Sequence, residues 1–255
     1  MSITSSNTNS TLLRALSIID VMLKDNRPIT AADICQQLDI PKATIHRIIS
    51  QLEQEGVIQK EPQGRYLSPG PKLRKMAIDV ISQSDVGAPR RAILQKLSQD
   101  IKETCNITLL DGHEILYFER VEANWPVMVQ LKPGSRLPLH CTASGKLFLS
   151  LMPSHKRRAI LANIQLEACT KNSITNIGKL EKELEKIADQ QISTDNEELI
   201  DGMVAIAVPI YNSVGQLQAT VAVHAPTIRQ SLSSLLTLAP KVRVAAQKLE
   251  SALEL

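Results

Sequence analysis

The chain has 255 residues, of which 43% are hydrophobic and only 2% aromatic, so it is long enough for two domains with aliphatic cores. No apolar run is long enough to span a membrane, and the Ser/Thr/Asn-rich tail over residues 1–9 lacks the pattern of a signal peptide. The four cysteines form no CxxC pair, which argues against a zinc site or a secreted disulfide framework. We therefore expect reduced thiols and a cytoplasmic protein.

The net charge of +3 is unevenly distributed along the chain. Residues 1–75 carry ten Lys/Arg and seven Asp/Glu, whereas residues 76–255 carry nineteen of each. The N-terminal part therefore holds the whole positive excess, which is the sign needed to neutralise the phosphates of a nucleic acid.

The chain begins with a helix over Thr11–Lys24, whose apolar residues lie on more than one side. This pattern predicts a helix that buries most of its surface, in the domain core and also against a partner subunit. A second helix is predicted over Thr30–Leu38, where Thr30 and Asp33 have the spacing of a capping box. The short segment Asp39–Pro41 then suits the turn of a helix-turn-helix.

The stretch Pro41–Gly56 predicts a third helix, with an apolar stripe formed by Ile45, Ile48, Ile49 and Leu52. A solvated helix of a bundle would show the same stripe, but its other side here is small, polar and basic, as a helix in the DNA major groove requires. Short strands at 57–60 and 65–67 then flank the turn 61–64 and predict a hairpin wing. These elements indicate a winged helix-turn-helix over residues 10–69. Its candidate DNA-binding residues are Lys42, Thr44, His46, Arg47, Gln51 and Arg65.

Residues 70–85 predict a linker helix, and residues 86–255 predict one α+β domain with an antiparallel sheet flanked by helices. The predicted elements of this domain are a helix over Pro89–Glu103, a hairpin of Asn106–Leu110 and Glu114–Val121, a strand Pro126–Lys132, a loop Lys132–Pro138, helices from Ala143 to Met152, Ser154–Asn163 and Ile177–Gln191, an extended acidic segment Ile192–Asp201, strands Met203–Tyr211 and Leu217–His224, and a helical tail Ile228–Leu253.

Several stretches in this order resemble the IclR (isocitrate-lyase-regulator-type) family of bacterial transcription regulators. They are Arg14–Ile18, Ile40–Arg47, Gly64–Leu67, Leu137–Lys146, Asn196–Gly202 and Ala205–Ile210. The resemblance implies an N-terminal winged helix, a linker helix and a C-terminal effector-binding domain of GAF-like fold. It also implies homodimers or homotetramers that bind palindromic operators in double-stranded DNA and repress or activate in response to small metabolites. For this chain we expect a repressor and a small organic-acid effector. By the same resemblance, the effector-binding positions are Ala143, Ser144, Asp195, Met203, Ala205, Ala222 and His224.

An enzyme is the alternative reading, because His140 and Cys141 are adjacent and Asp195 and His224 are available. Adjacent residues on an extended segment point apart, however, and the chain has no nucleophile elbow, no Gly-rich phosphate loop and no metal-ligand spacing. We therefore expect no catalysis and no cofactor. A winged helix used only for protein contact would also fit the sequence, and DNA binding distinguishes it from a regulator.

Four residues of the C-terminal domain have both a structural and a ligand-binding interpretation. Ser144 and Gly145 at a helix start offer free backbone N–H groups that suit a carboxylate, or they are an ordinary cap. Asp195 is a ligand acceptor or a solvated loop acid, and His224 is a ligand contact or a satisfied histidine. Lys146 is expected on a solvated face.

Overall fold

A computed structural model describes residues 10–24, 29–61, 65–83, 87–125, 131 and 133–253. The chain divides into two compact units, residues 1–83 and 84–255. None of the described helices is long and apolar enough to cross a membrane. The first unit contains α1 (Thr11–Lys24), β1 (Ile29–Thr30), α2 (Ala31–Gln37), α3 (Lys42–Gln54), β2 (Ile58–Lys60), β3 (Tyr66–Pro69) and α4 (Pro71–Gln83).

The first unit is a winged helix-turn-helix with an aliphatic core. Ile18 of α1, Ile34 of α2 and Ile45 of α3 are completely buried and pack together, so the predicted stripe of α3 faces the core. The capping box of α2 is confirmed, because Thr30 Oγ1 accepts a hydrogen bond from the Asp33 N–H and the Thr30 N–H donates to the Asp33 carboxylate. Strands β2 and β3 pair as the predicted wing.

Strand β1 of this unit was not predicted, and the predicted burial of α1 is present within this chain on one side only. Strand β1 pairs with β3, so the described wing sheet has three strands in the order β1-β3-β2. Helix α1 was predicted to bury most of its surface, but within this chain only Ile18 and Met22 are buried. Leu12 is 68% exposed and Leu16 is 51% exposed, because the unit supplies core contacts to one side of α1 only.

Gly70 allows α4 to begin close to the wing. A Cβ atom at Gly70 would lie 2.2 Å from the carbonyl oxygen of Gly56, and Gly56 itself has a left-handed φ of 69°. Backbone hydrogen bonds cross this junction from the Gly70 N–H to Val57 and from the Lys72 N–H to Gly56. A side chain at Gly70 would separate these segments, so the glycine fixes where α4 starts.

The second unit is an α+β domain, as predicted. Its elements are α5 (Ala88–Ile101), β4 (Thr104–Asp111), β5 (Glu114–Val121), β6 (Arg136–Pro138), α6 (Ala143–Leu151), α7 (Ser154–Asn163), α8 (Ile177–Gln190), β7 (Ser193–Asn196), β8 (Met203–Tyr211), β9 (Leu217–Pro226), α9 (Leu232–Leu236) and α10 (Ala239–Ala252). The described strands form an antiparallel sheet in the order β6-β5-β4-β9-β8-β7.

Helices cover both faces of this sheet. Helices α5 and α10 pack together, and α10 lies against β8 and β9. Helices α6 and α8 pack together, and α6 lies against β8 and β9. The apolar cluster beneath α6 and α8 includes Leu147, Leu184, Ala205 and Ala222. That face is built from small residues on the strands, and it carries the candidate ligand site.

Three predicted elements of the second unit need correction. The loop Lys132–Pro138 contains an edge strand, β6, which pairs with β5. The helical tail is interrupted between α9 and α10. Pro240 lies in the first turn of α10, because a proline cannot continue a preceding helix. The acidic segment Ile192–Asp201 is extended only over β7. The predicted strand Pro126–Lys132 lies almost entirely outside the described residues, and Leu131 is not in a strand.

Candidate functional site

Helix α3 presents a polar face to solvent. Lys42, His46, Arg47 and Gln51 are exposed, whereas Thr44 is half-buried. The side-chain amide oxygen of Gln51 accepts a hydrogen bond of 3.4 Å from Arg47 Nη1, one turn away. The guanidinium group of Arg47 and the amide group of Gln51 therefore lie side by side on the exposed face of α3.

Arg65 is the remaining candidate DNA contact and is also exposed, immediately before β3. The wing turn next to it, residues 62–64, lies outside the described residues. All six candidate residues thus lie in the first unit, and the side chain of each is at least partly exposed.

The candidate ligand site is built around one row of paired residues in the large sheet. Asp195 on β7 is opposite Ala205 on β8, and Ala205 is opposite His224 on β9. Paired residues project to the same side of a sheet, so the methyl group of Ala205 lies between two polar side chains. Asp195 and His224 line one cavity together with Arg120, Leu131, Leu199, Ile200 and Met203. The enclosed free space is small, about 20 Å³, which is room for about one water molecule.

Asp195 is buried and bonded to the backbone that follows β7. Its Oδ1 accepts hydrogen bonds of 2.7 Å from the Glu198 N–H and 3.4 Å from the Leu199 N–H. Burial raises the pKa of this carboxyl from 3.8 to about 7. The hydrogen bond from the Glu198 N–H opposes the rise, the charge of the Glu198 side chain adds to it, and Lys146 opposes it. Near neutral pH the group can therefore act as a hydrogen-bond donor as well as an acceptor.

His224 is held by Tyr117, whose hydroxyl lies 3.3 Å from His224 Nε2. Burial lowers the pKa of the imidazole to about 3, and the positive charge of Arg120 adds to this effect. The ring is thus neutral at physiological pH, with one nitrogen available as a donor and the other as an acceptor.

Arg120 is a charged cavity residue that was not predicted from the sequence; Leu131, Leu199 and Ile200 were not predicted either. Arg120 Nη1 donates to Asn106 Oδ1 at 3.2 Å and its Nε donates to Glu122 at 3.2 Å, while its side chain is only 7% exposed. The signal was present in the sequence, because an arginine within a mostly apolar strand needs a specific partner. Asn106 Nδ2 is buried and has no hydrogen-bond partner among the described residues.

The other predicted effector residues lie deeper in the same face. Ala143, Ala205 and Ala222 belong to the apolar cluster beneath α6. The hydroxyl of Ser144 accepts a hydrogen bond of 2.8 Å from Thr220, which also contacts Thr108 at 2.6 Å, so it joins α6 to the sheet. The structure therefore brings Asp195, Met203 and His224 around the cavity, whereas Ala143, Ser144, Ala205 and Ala222 do not line it.

At the start of α6 the ordinary-cap interpretation of Gly145 is confirmed, whereas the expectation for Lys146 is wrong. The Gly145 N–H is not free, because it donates to the Oγ1 of Thr142, the N-cap residue. Lys146 is not on a solvated face, because its side chain is 1% exposed and its ammonium group pairs with Glu198. A lysine on a helix that is buried over residues 143–150 has to find a partner inside the protein.

Comparisons with known proteins agree with this architecture. The model of the IclR helix-turn-helix domain matches residues 11–62, and that of the bacterial transcriptional regulator IclR C-terminal domain matches residues 78–251. The chain belongs to the IclR family of transcriptional regulators. It therefore has a DNA-binding helix-turn-helix domain and an effector-binding C-terminal domain, in a family of regulators rather than enzymes. The first match ends at residue 62, and the second begins at residue 78, inside α4.

Individual IclR-family members match either nearly the whole chain or its C-terminal part. The protein named "Probable transcriptional regulator SauR" of Cupriavidus necator is 37% identical, over 96% of this chain and 97% of its own. The crystal structure of Thermotoga maritima IclR is 25% identical, with a TM-score of 0.64, over 96% of this chain and 99% of that one. The inducer-binding domain of PobR from Acinetobacter, a double mutant in complex with 3-hydroxybenzoic acid, is 26% identical with a TM-score of 0.59, over 62% of this chain and 94% of that one.

Proposed function

We propose that this IclR-family regulator is a repressor that binds a palindromic operator as a dimer or tetramer, and that a small organic acid in the Arg120 cavity modulates this binding. The observation that carries the effector part is the buried guanidinium of Arg120 beside Asp195 and His224. It is a permanent positive charge in a site where the imidazole is neutral and burial disfavours the Asp195 carboxylate. Within the protein its Nε donates to the Glu122 carboxylate and its Nη1 to Asn106.

A carboxylate is the ligand group that best complements this charge. A guanidinium binds a carboxylate through two parallel hydrogen bonds, and such charge-assisted bonds are stronger than neutral ones. Asp195 and neutral His224 can then bond a keto or hydroxyl oxygen of the same molecule. Met203, Leu199 and Ile200 supply an apolar wall, which is the usual complement of a few polar groups in a ligand site.

The size of the cavity favours a compact acid. With about 20 Å³ free, a ligand of a few carbon atoms needs side chains to shift, and an aromatic acid needs larger shifts. PobR, which is similar to this chain, binds 3-hydroxybenzoic acid on the same fold, so hydroxylated carboxylic acids are a reasonable class to test first.

Dimer formation is supported by the exposed apolar residues of the first unit. Leu12 and Leu16 on α1 and Met76 and Val80 on α4 are each more than half exposed. One recognition helix reads only a short site, so two paired units would read half-sites about 34 Å, or one helical turn, apart. Burying these side chains against a second copy would remove them from water.

A ligand-screening experiment tests the effector part. Small keto and hydroxy acids and their neutral amides are added to the full-length protein in a thermal-shift assay. At a hundredfold excess over Kd, an acid should stabilise the protein by about 2.7 kcal/mol, whereas its amide should not. Arg120→Gln should abolish the shift, and Arg136→Gln, which changes an arginine on edge strand β6, should preserve it. If the acid shifts the melting temperature of both variants equally, the acid binds at another site.

A DNA-binding experiment tests the repressor part. The protein should retard DNA from its own upstream region in a gel shift, with an affinity that falls steeply as salt rises. An acid identified in the thermal-shift assay should weaken that binding, and loss of the protein should raise transcription from the same promoter. Tighter DNA binding and lower transcription on loss of the protein would instead indicate an activator.

A further inference from the structure

We propose that Cys141 and Cys169 form a peroxide-oxidisable thiol pair, which closes to a disulfide between the start of α6 and the loop that supports the ligand cavity. Their Sγ atoms lie 3.5 Å apart, and both cysteines are free thiols. A disulfide requires a separation of about 2.05 Å, so the two sulfurs must approach each other by about 1.5 Å. The proposal does not depend on which ligand the cavity binds.

The backbone already holds the two cysteines together. His140, next to Cys141, has its Nε2 2.8 Å from the carbonyl oxygen of Glu167, two residues before Cys169. Cys141 is followed by Thr142, whose hydroxyl donates to the Pro138 carbonyl and caps α6. These hydrogen bonds keep the segment before α6 next to the loop that contains Cys169.

The two thiols differ in their access to an oxidant. Cys169 is exposed, whereas Cys141 is completely buried. Burial raises the pKa of the Cys141 thiol above its ordinary value, and the neighbouring Cys169, Asp195 and Glu198 add to the rise. Cys169 is thus the thiol that meets a peroxide, and Cys141 is the resolving partner.

The reaction proceeds in two balanced steps with hydrogen peroxide as the oxidant. First, the Cys169 sulfur attacks the peroxide; an S–O bond forms, the O–O bond breaks and one water leaves. Second, the Cys141 sulfur attacks the Cys169 sulfur; the S–S bond forms, the S–O bond breaks, and the hydroxyl leaves with the Cys141 proton as a second water. The two sulfurs together lose two electrons, and the peroxide gains them. A dithiol reductant reverses the bond.

The disulfide would restrain the wall of the cavity. Thr170 Oγ1 donates to the Glu197 carbonyl at 2.6 Å, and Ser173 Oγ donates to the Glu198 carbonyl at 2.6 Å. The loop that starts at Cys169 therefore holds the segment after β7, which contains the cavity residues Leu199 and Ile200. Joining this loop covalently to Cys141 should reduce the opening motions of that segment.

Peptide mapping under non-reducing conditions tests the proposal on the full-length protein. Treatment with hydrogen peroxide should remove two of the four thiols and yield a linked Cys141–Cys169 peptide that dithiothreitol separates. Cys169→Ser should protect Cys141 from oxidation. In the Cys141→Ala variant, oxidation should stop at a Cys169 sulfenic acid, which dimedone traps. The Cys35→Ser variant, whose substitution lies in the other unit, should react like the parent protein.

Hydrogen exchange supplies a second measurement on the parent protein. The amides of residues 195–200 should exchange more slowly in the oxidised protein than in the reduced one, and the thermal midpoint should rise on the order of 5 °C. The proposal is overturned if the linked peptide does not form and Cys169 oxidises beyond the sulfenic acid equally fast with and without Cys141. It is also overturned if the only disulfides formed join two chains.

Discussion

The ammonium group of Lys146 and the carboxylate of Glu198 form an ion pair between α6 and the segment after β7, with side chains that are 1% and 7% exposed. Glu198 Oε1 also lies 3.4 Å from the Asn196 N–H, and its Oε2 has no hydrogen-bond partner among the described residues. Removing two charges from water is costly, so a gain in stability does not by itself explain why this ion pair is buried. It fixes the segment that carries Asp195 and Leu199 against the start of α6.

Removal of one partner of this pair should be strongly destabilising. Lys146→Met should lower the free energy of unfolding by about 3–5 kcal/mol, because it leaves the Glu198 carboxylate buried and unpaired. The double variant Lys146→Met/Glu198→Gln should recover most of that loss, since neither charge remains. Urea unfolding of the single and double variants measures the difference. Equal losses in both would mean that packing of the lysine side chain, and not its charge, is what matters.

This pair also shows why part of the site could not be predicted from the sequence. The local sequence around Lys146 predicted the helix correctly, and apolar residues on all sides of a helix are typical of a buried one. The partner, however, is 52 residues away in the chain, and only the fold brings the two together. The expectation of a solvated lysine failed for this reason.

Local signals predicted most helices and long strands well. The Thr30 capping box, the apolar stripe of α3 and the hairpin of β4 and β5 depend on neighbouring residues, and all three are present. Strands β1 and β6 have only two and three residues, so they show no periodicity and exist through pairing with a longer strand. The sequence indicated that Arg120 needs a partner, but it could not place Arg120 near Asp195, because that position depends on the strand order.

The pH dependence of stability should reveal two opposing groups in the cavity. The raised pKa of Asp195, about 7, means that its contribution to stability is present below about pH 4 and is lost as the pH rises to 7. The lowered pKa of His224, about 3, means that its contribution is present above about pH 6.5 and is lost as the pH falls towards 3. Between about pH 4 and 6.5 the two effects oppose each other.

Single substitutions should separate these two effects. Asp195→Asn keeps an oxygen that can accept the Glu198 N–H bond and leaves only the His224 effect, so stability should rise with pH more steeply than in the parent. His224→Gln should give the opposite change. Each slope should differ from the parent by at most about 1.4 kcal/mol per pH unit, measured by urea unfolding from pH 4 to 6.5. Slopes identical to the parent in both variants would contradict the assigned shifts.

Substitution of an exposed leucine on α1 should dissociate the proposed dimer. Leu16→Glu places a charge on the apolar surface of α1 without entering the core, so the fold should persist while self-association weakens. Light scattering at micromolar concentration should show monomers, and operator affinity should fall because half-sites are then bound singly. Val214→Glu, at a residue that is 73% exposed in the other unit, is the matched control and should leave both properties unchanged. A dimeric Leu16→Glu protein would place the interface elsewhere.

Loss of the Arg47 side chain should weaken specific DNA binding. Arg47 is exposed on α3 and bonded to Gln51, so Arg47→Ala should cost about 1–3 kcal/mol of operator affinity if the guanidinium reads a guanine edge. Arg91→Ala removes the same charge from an exposed position on α5 and should leave binding nearly unchanged. Titrations of both variants on the operator and on unrelated DNA, at several salt concentrations, separate base reading from phosphate contact. Equal loss on both DNAs, with a salt slope reduced by about one, would assign Arg47 to a phosphate instead of a base.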